Sequence, residues 1–350
     1  MHRFRSLALL LVALVIVAFP LVAVVDVPGE RWVKQRVGVN VDGCGPIVHR
    51  GDGSAWRDEA DTPTLRDGPS SAVIDGKIYL VGGIRSWSQD YAIANSVDTV
   101  ESFDVATRRW EKLPPLPRPL NHVNLAAAGG ALYALGGTTD EFRRDVATGD
   151  SWRYDPAERR WESLPPMPTA RGAAGIAVHG DDIIVAGGRA RGVALDTVER
   201  YDTRTERWRK LSPMRARRDH AAMASHGGYA YVLAGRKEDE VSMRVFERYD
   251  VAKDRWEDMP PSPEPKAGFH LINTPAGLVA AGGENLSRWT LYGGVYAFDP
   301  DRRRWNELPA MDEPKHGYAA EYADGRLYVF GGSRCSGFLP TRSSASLAVG

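Results

Sequence analysis

Five basic residues raise the question of chemistry first. Arg66, Arg171, Arg218, Lys266 and Lys315 stand at corresponding places in successive stretches of the chain, and Leu120 fills the sixth such place. If those stretches surround an axis, the cations converge at a funnel, and converging cations attract carboxylates and other anions. His122, His220, His270 and His316 stand in nearby positions but not in one register, and His122 and His220 join the cations as candidate ligand contacts. The spacing of these histidines matches no compact metal motif, so no metal and no cofactor is assigned. Glu101 and Glu199 are the carboxylates nearest to general-base positions, but they lie inside "VESFD" and "VERYD", which read as strand. Trp87 and Tyr91 in "IRSWSQDYAIANS", with Trp289 and Tyr292 in "ENLSRWTLYG", are aromatics able to stack on sugar faces. No nucleophile elbow, Walker loop, zinc motif or dinucleotide fingerprint occurs.

The elements that must position these residues are repeats. An apolar run closing on glycine occurs six times: "IYLVGG", "LYALGG", "IIVAGG", "YVLAGR", "LVAAGG" and "LYVFGG". The fourth ends in Gly235-Arg236, which predicts slightly altered pairing there. An aromatic-Asp pair precedes a tryptophan by a fixed interval five times, at Asp104/Trp110, Asp155/Trp161, Asp202/Trp208, Asp250/Trp256 and Asp299/Trp305. Each unit reads as four antiparallel strands with a tight Asp-Gly-type turn between the first two. Such units repeated around an axis suggest blades of a propeller, with the tryptophans between blades. Arg109, Arg160, Arg207, Arg255 and Arg304 precede the tryptophans and alternate to solvent.

Six glycine-ended runs but five complete units leave a half unmatched. The segment "PIVHRGDGSAW" (46–56) has the layout of an outer half without an inner one. It is expected to complete the sixth blade, with residues 46–58 beside the strand at 327–332 and His49 standing to Trp56 as Phe103 stands to Trp110.

The double glycines, the aromatic-Asp, the spaced Trp and segments such as "LPPMPTAR" together resemble the kelch family over roughly residues 44–335. The resemblance implies an all-β, six-bladed propeller whose last blade is shared between the two end segments. It also implies an interaction platform as the commonest role. WD-type propellers are disfavoured because their Trp-Asp ending is absent.

Only two cysteines occur, Cys44 and Cys335. The alignment sets one on each side of the break in blade six, which predicts a disulfide replacing the missing connection and an oxidising compartment. At the N-terminus, basic "MHRFRS" precedes an uncharged run from Leu7 to Val25, long enough to span a hydrocarbon core as a helix. The expected organisation is a signal anchor or signal peptide at 1–25, a linker at 26–43, the propeller at 44–335 and a loosely docked tail at 336–350. The propeller is then extracytoplasmic, anchored in the membrane or secreted after cleavage. The sequon at Asn285 matters only in a host that glycosylates exported proteins.

Lys+Arg 45 against Asp+Glu 45 leaves no global basic field, so no nucleic-acid partner is expected. The reading that follows is a binding module, more a binder than an enzyme, taking a protein or glycan, anionic ones included, through the loop face and basic funnel. Alternatives drawn from kelch-like enzymes are a sugar-acid epimerase or mutarotase and, less well matched, a galactose-oxidase-like enzyme.

Overall fold

A computed structural model describes residues 45–85, 95–139 and 146–350. They form six four-stranded antiparallel sheets and three small ladders. Sheet one uses Ser70–Ile74, Lys77–Val81, Val100–Asp104 and Arg109–Leu113 in spatial as well as chain order. Sheets two to five repeat that order, beginning at Asn124, Gly175, Ala222 and His270. The first strands of the six sheets touch one another in cyclic order, sheet six against sheet one included.

The second strands are apolar on both faces because both faces are covered. Tyr79 and Val81 pack toward sheet two, in one cluster with Leu132, Ala134 and Tyr154. Their neighbours Ile78 and Leu80 pack the opposite way, with Tyr328 and Phe330 of sheet six. The core is therefore a series of sheet-to-sheet interfaces, not one central mass. At each interface a tryptophan indole donates to a backbone carbonyl of the preceding sheet: Trp110 to Ala60, Trp161 to Pro114, Trp208 to Pro165, Trp256 to Ser212, Trp305 to Pro260 and Trp56 to Pro309, at 2.8–3.3 Å. The tryptophans thus sit between sheets, as the repeat predicted.

The double glycine of each unit ends the second strand in two left-handed residues. At Gly82 a Cβ would stand 2.4 Å from the Leu120 carbonyl oxygen, a contact no side chain can make. Sheet four differs from the sequence reading. Its equivalents of the pair are Ala234 (φ 54°) and Gly235 (φ 91°), with ladder pairing intact through Leu233. Arg236 falls one place beyond.

Sheet six also differs. Its order is Ala319–Ala323, Arg326–Phe330, Ser344–Ala348, Trp56–Glu59. The two end segments share it, but the expected tail supplies the third strand and residues 56–59 supply only the fourth. Leu347, not His49, pairs with Trp56. The reason is burial: Leu347 and Val349 are apolar and enclosed, and Ser344 and Ser346 are small enough to be enclosed beside them. Ile47–Val48 instead lies parallel to Leu291–Tyr292 of the fifth repeat. His49 there hydrogen-bonds Glu264 and Tyr296 at 2.9 and 3.0 Å.

Leu7–Val25 lies outside the described residues. Among the described residues no helix is long and apolar enough to cross a membrane.

Candidate binding site at the channel mouth

The predicted basic funnel is not solvent-facing. Arg66, Arg171, Arg218, Lys266 and Lys315 are all buried, none more than 2% exposed. Each side chain runs into its own sheet and meets a carboxylate. Arg66 bonds Glu101 at 2.9 Å, Arg171 bonds Glu199 at 2.5 Å and Arg218 bonds Glu247 at 2.7 Å. In these three sheets the glutamate stands on the third strand, opposite Leu80, Val185 and Val232 respectively. Sheets five and six carry Tyr296 and Ala345 at that place. There the cation is lysine and its acid lies two residues earlier, in Glu264-Pro265-Lys266 and Glu313-Pro314-Lys315, at 2.9 and 3.1 Å. Sheet two has neither charge. Leu120 and Trp152 take the two places and pack in one apolar cluster. Burial lowers the affinity of each cation for its proton, taking Arg66 to about 10 and Lys266 and Lys315 below the ordinary lysine range. Unpaired charge could not be kept at these depths. The three arginines tie the segment before each first strand to the third strand of their own sheet, while the two lysines pair within that segment.

Two residues further on in each unit the chain turns at the axis. Gly68, His122, Ala173, His220, Gly268 and Gly317 all have φ between 44° and 65°. This turn passes a backbone N–H to the neighbouring sheet's carbonyl: Gly68 to Gly317, Gly317 to Gly268, Gly268 to His220, His220 to Ala173 and Ala173 to His122, at 2.7–3.2 Å. These five bonds link the six positions into an arc along the rim of an axial channel of about 410 Å³. Below it the channel is walled mostly by Ala, Val, Leu and Ile of the first strands. Glu321 is a carboxyl in that wall. Burial pushes it up to about 7, against a hydrogen bond with Ser71 that acts the other way.

Polar side chains gather around the rim. The residues between cation and rim are Asp67, Asn121, Gly172, Asp219, Ala267 and His316. They bridge, in order, to Ile84, Thr138, Arg189, Arg236, Glu284 and Ser333, which follow the double-glycine turns. Between sheets three and six this yields a charged arc. Arg236 meets Asp219 at 3.2 Å, Glu240 at 2.9 Å and Glu284 at 3.4 Å. Arg189 meets Glu240 at 3.1 Å and Asp219 at 3.6 Å. Glu284 also accepts from Ser336 Oγ and the Gly337 N–H, and lies 3.6 Å from His316. Asp219 is held above the ordinary carboxyl range by burial, with Arg236 and Arg189 opposing. Asp67, equally enclosed, is pushed up to about 6, with His316 opposing. Burial first, then Arg236 and Arg189, press the His220 imidazole well below its ordinary range.

Of the sequence candidates, then, His122 and His220 are brought together at the rim, and the five cations are taken inside. Tyr292 is buried at 6% exposure and offers no stacking face; Trp289 is half-buried beside it. Trp87 and Tyr91 lie outside the described residues. Cys335 is disulfide-bonded, and the only other cysteine, Cys44, also lies outside them. Cys335 falls in the loop between the second and third strands of sheet six, so the chain break it was expected to bridge is elsewhere, between the third and fourth. Asp219, Arg189, Arg236, Glu240 and Glu284 were missed. Aligning the residues that follow each cation and each double glycine exposes four of the five. Glu240 is in a loop with no counterpart to align.

Double-glycine strand ends, cross-sheet tryptophans and cyclic four-stranded sheets define a β-propeller of kelch type. The KLHDC2/KLHL20/DRC7 Kelch-repeats domain matches residues 53–188, and the Kelch motif matches 170–215 and 217–263. The chain belongs to the kelch-repeat family. It is 38% identical over 126 residues to the Kelch-like protein terF of Aspergillus terreus, covering 35% of this chain and 27% of that protein. It is 30% identical over 142 residues to human Kelch domain-containing protein 8B, covering 39% of each. Beta-scruin of Limulus polyphemus is 26% identical over 140 residues, 39% of this chain and 15% of that protein. The match therefore spans well under half the length of these relatives. Kelch-repeat proteins typically mediate protein interaction.

Proposed function

We propose that the protein is a closed six-bladed propeller whose loop face binds a protein partner at the channel mouth. The observation that carries this reading is the pair Arg189 and Arg236, set on the rim and held there in cis by Asp219, Glu240 and Glu284. A partner offering an acidic side chain matches the chemistry of that contact, since a guanidinium favours a carboxylate in forked geometry. A partner carboxylate replaces Glu240 between the two guanidiniums, while Asp219 and Glu284 keep them in place, which lowers the cost of binding. The test is selection of a displayed peptide library on the wild-type protein and on Arg189→Ala/Arg236→Ala. Acidic sequences enriched on the first and lost on the second are expected. Enrichment independent of both arginines would overturn the reading.

The enzyme alternative, a sugar-acid epimerase or mutarotase, draws support from Asp219 and Glu284 standing beside Arg236 and two histidines at a channel mouth. Proton-exchange NMR of uronic and sialic acids with the protein decides it; exchange no faster than in buffer removes it. Glycan binding rests on Trp87, Tyr91 and Trp289 and is tested in the same selection with a glycan array.

An extracytoplasmic location, anchored or secreted, is the further part of the proposal. It is supported by the Leu7–Val25 run and by the bonded state of Cys335, for which Cys44 is the available partner. Two free thiols in the native exported protein would remove it. Mass spectrometry of the mature N-terminus separates anchor from cleaved signal.

A further inference from the structure

Glu321 differs from the other enclosed acids. The buried glutamates of the described chain, Glu59, Glu101, Glu199, Glu247, Glu264 and Glu284, each meet an arginine or lysine at 2.5–3.4 Å. Glu321 is half-buried in the wall of the axial channel, where what acts on it is burial and a hydrogen bond with Ser71. No cation stands against it among the described residues. His270, on the first strand of the adjacent sheet five, also lines the channel but supplies no charge. Its Nε2 donates to the Tyr318 carbonyl at 2.8 Å, and burial takes the ring down to about 4.

The fold does not require a carboxyl at this place. Glu321 stands opposite Tyr328 in its ladder. The corresponding register in the other five sheets is held by Ala72, Ala126, Ala177, Ala224 and Ile272. All six residues line the channel. One level of it therefore carries a single acid beside four methyl groups and one larger aliphatic chain. Water solvates the acid but gains nothing from the apolar wall. A molecule with a positive end and a short apolar tail meets both features, and covering apolar wall as well as charge is how a small-ligand cavity earns affinity.

We propose that the axial channel binds an alkylammonium ion, its charged end paired with the Glu321 carboxylate and its tail laid against the alanine wall. The pairing supplies the counter-ion that the chain itself gives to every buried glutamate and withholds here. An ammonium has three donors, which a carboxylate and a few waters satisfy; a guanidinium would bring five into a channel with one acid. A bare metal ion of the oxygen-preferring class needs several oxygen ligands, where this level offers one carboxyl. The volume of about 410 Å³ holds a chain of several methylenes together with water. A free amine and the lysine side chain of a partner carry the same group, and the test below separates the two. The site lies inside the channel and does not depend on the arginine pair at its mouth.

The test titrates the full-length chain in detergent at pH 8 with n-butylamine, which is protonated there. Ligand saturation-transfer NMR reads the affinity. The ¹³C signal of the Glu321 carboxyl, in glutamate-labelled protein and assigned by its absence from Glu321→Gln, reads the contact. Saturable binding at about 1 mM is expected, a modest affinity suited to so small a ligand, with the carboxyl signal moving toward its ionised position. Glu321→Gln should weaken binding at least about ten-fold, the loss of a charge-assisted bond. Glu158→Gln, at an exposed glutamate, leaves it unchanged. n-Butanol should bind at least about ten-fold more weakly than the amine, and butyrate not at all. Nα-acetyl-lysine amide forms the second arm. Its binding through Glu321 assigns the site to a partner's lysine, and its exclusion while n-butylamine binds assigns it to a free amine. Equal affinity in Glu321→Gln, n-butanol bound as tightly as the amine, or a Glu321 signal that neither amine moves would overturn the proposal.

Discussion

The Arg171–Glu199 pair can be removed in two ways with unequal expected costs. Both side chains are nearly inaccessible, at 0% and 4%, and their closest atoms are 2.5 Å apart. Arg171 also donates to the carbonyls of Thr169 and Val185, and Glu199 accepts from Thr169 Oγ1. Arg171→Met alone leaves a buried carboxylate without its counter-ion, a change that costs about 3–5 kcal/mol. Glu199→Leu alone strands the guanidinium and costs a similar amount. The double variant removes both charges at roughly conserved volume, and replacing a buried pair by packed apolar groups is often neutral. It should lose no more than about 1–2 kcal/mol, chiefly the hydroxyl and carbonyl bonds given up. Sheet two is an internal precedent, since Leu120 and Trp152 occupy these two places without any charge. Urea denaturation of the wild type and three variants, followed by tryptophan fluorescence, gives the coupling energy. A double variant whose loss equals the sum of the singles within about 0.5 kcal/mol refutes the argument.

Glu321→Gln should stabilise the protein at pH 8 and do little at pH 4. The folded carboxyl titrates near 7 against an ordinary 4.5, so the folded state holds a proton that the unfolded chain releases, and stability falls as pH rises through that window. The gap sets an upper bound of about 3 kcal/mol, reduced by any water in the channel; melts at the two pH values check it, and equal shifts at both contradict it. Deleting residues 344–350 removes the third strand of sheet six and leaves Trp56–Glu59 without a partner. The truncated chain should exchange backbone amides at 56–59 and 326–330 far faster than the intact one by hydrogen–deuterium mass spectrometry, and unchanged protection would contradict the topology.

The strand composition of each unit was legible because its signals are local. Double glycine, aromatic-Asp and tryptophan recur at fixed intervals, and each reports a backbone conformation or a sheet-to-sheet contact. The cations were legible as a register but not as a role. Whether Arg171 points to the axis or into its sheet depends on where Glu199 lies, a strand away. Sheets five and six showed the answer in compressed form, as Glu-Pro-Lys, but only once the missing third-strand glutamate is noticed. The division of sheet six was misread because Ser344–Ala348 carries neither aromatic nor aspartate. Its identity rests on enclosure by neighbours distant in sequence. The pairing of His122 with His220 was hidden by their separation of two repeats, which the chain alone does not show to be a distance of 3.1 Å.

Sheet six joins a strand near the beginning of the described chain to one made after every strand of sheets one to five. During synthesis Trp56–Glu59 therefore emerges first and waits for its neighbour, while five sheets are translated in sequence. Each of those can pack on its predecessor as it appears, since its strands are contiguous. The seam requires a contact between segments almost the whole described chain apart, and contacts of that range form slowly. Until then the waiting strand is an open edge, able to pair with another chain. Its charged residues, Arg57, Asp58 and Glu59, act as a guard against such strays during that interval. The ring is thus assembled like a bracelet, link after link, and its clasp shuts last.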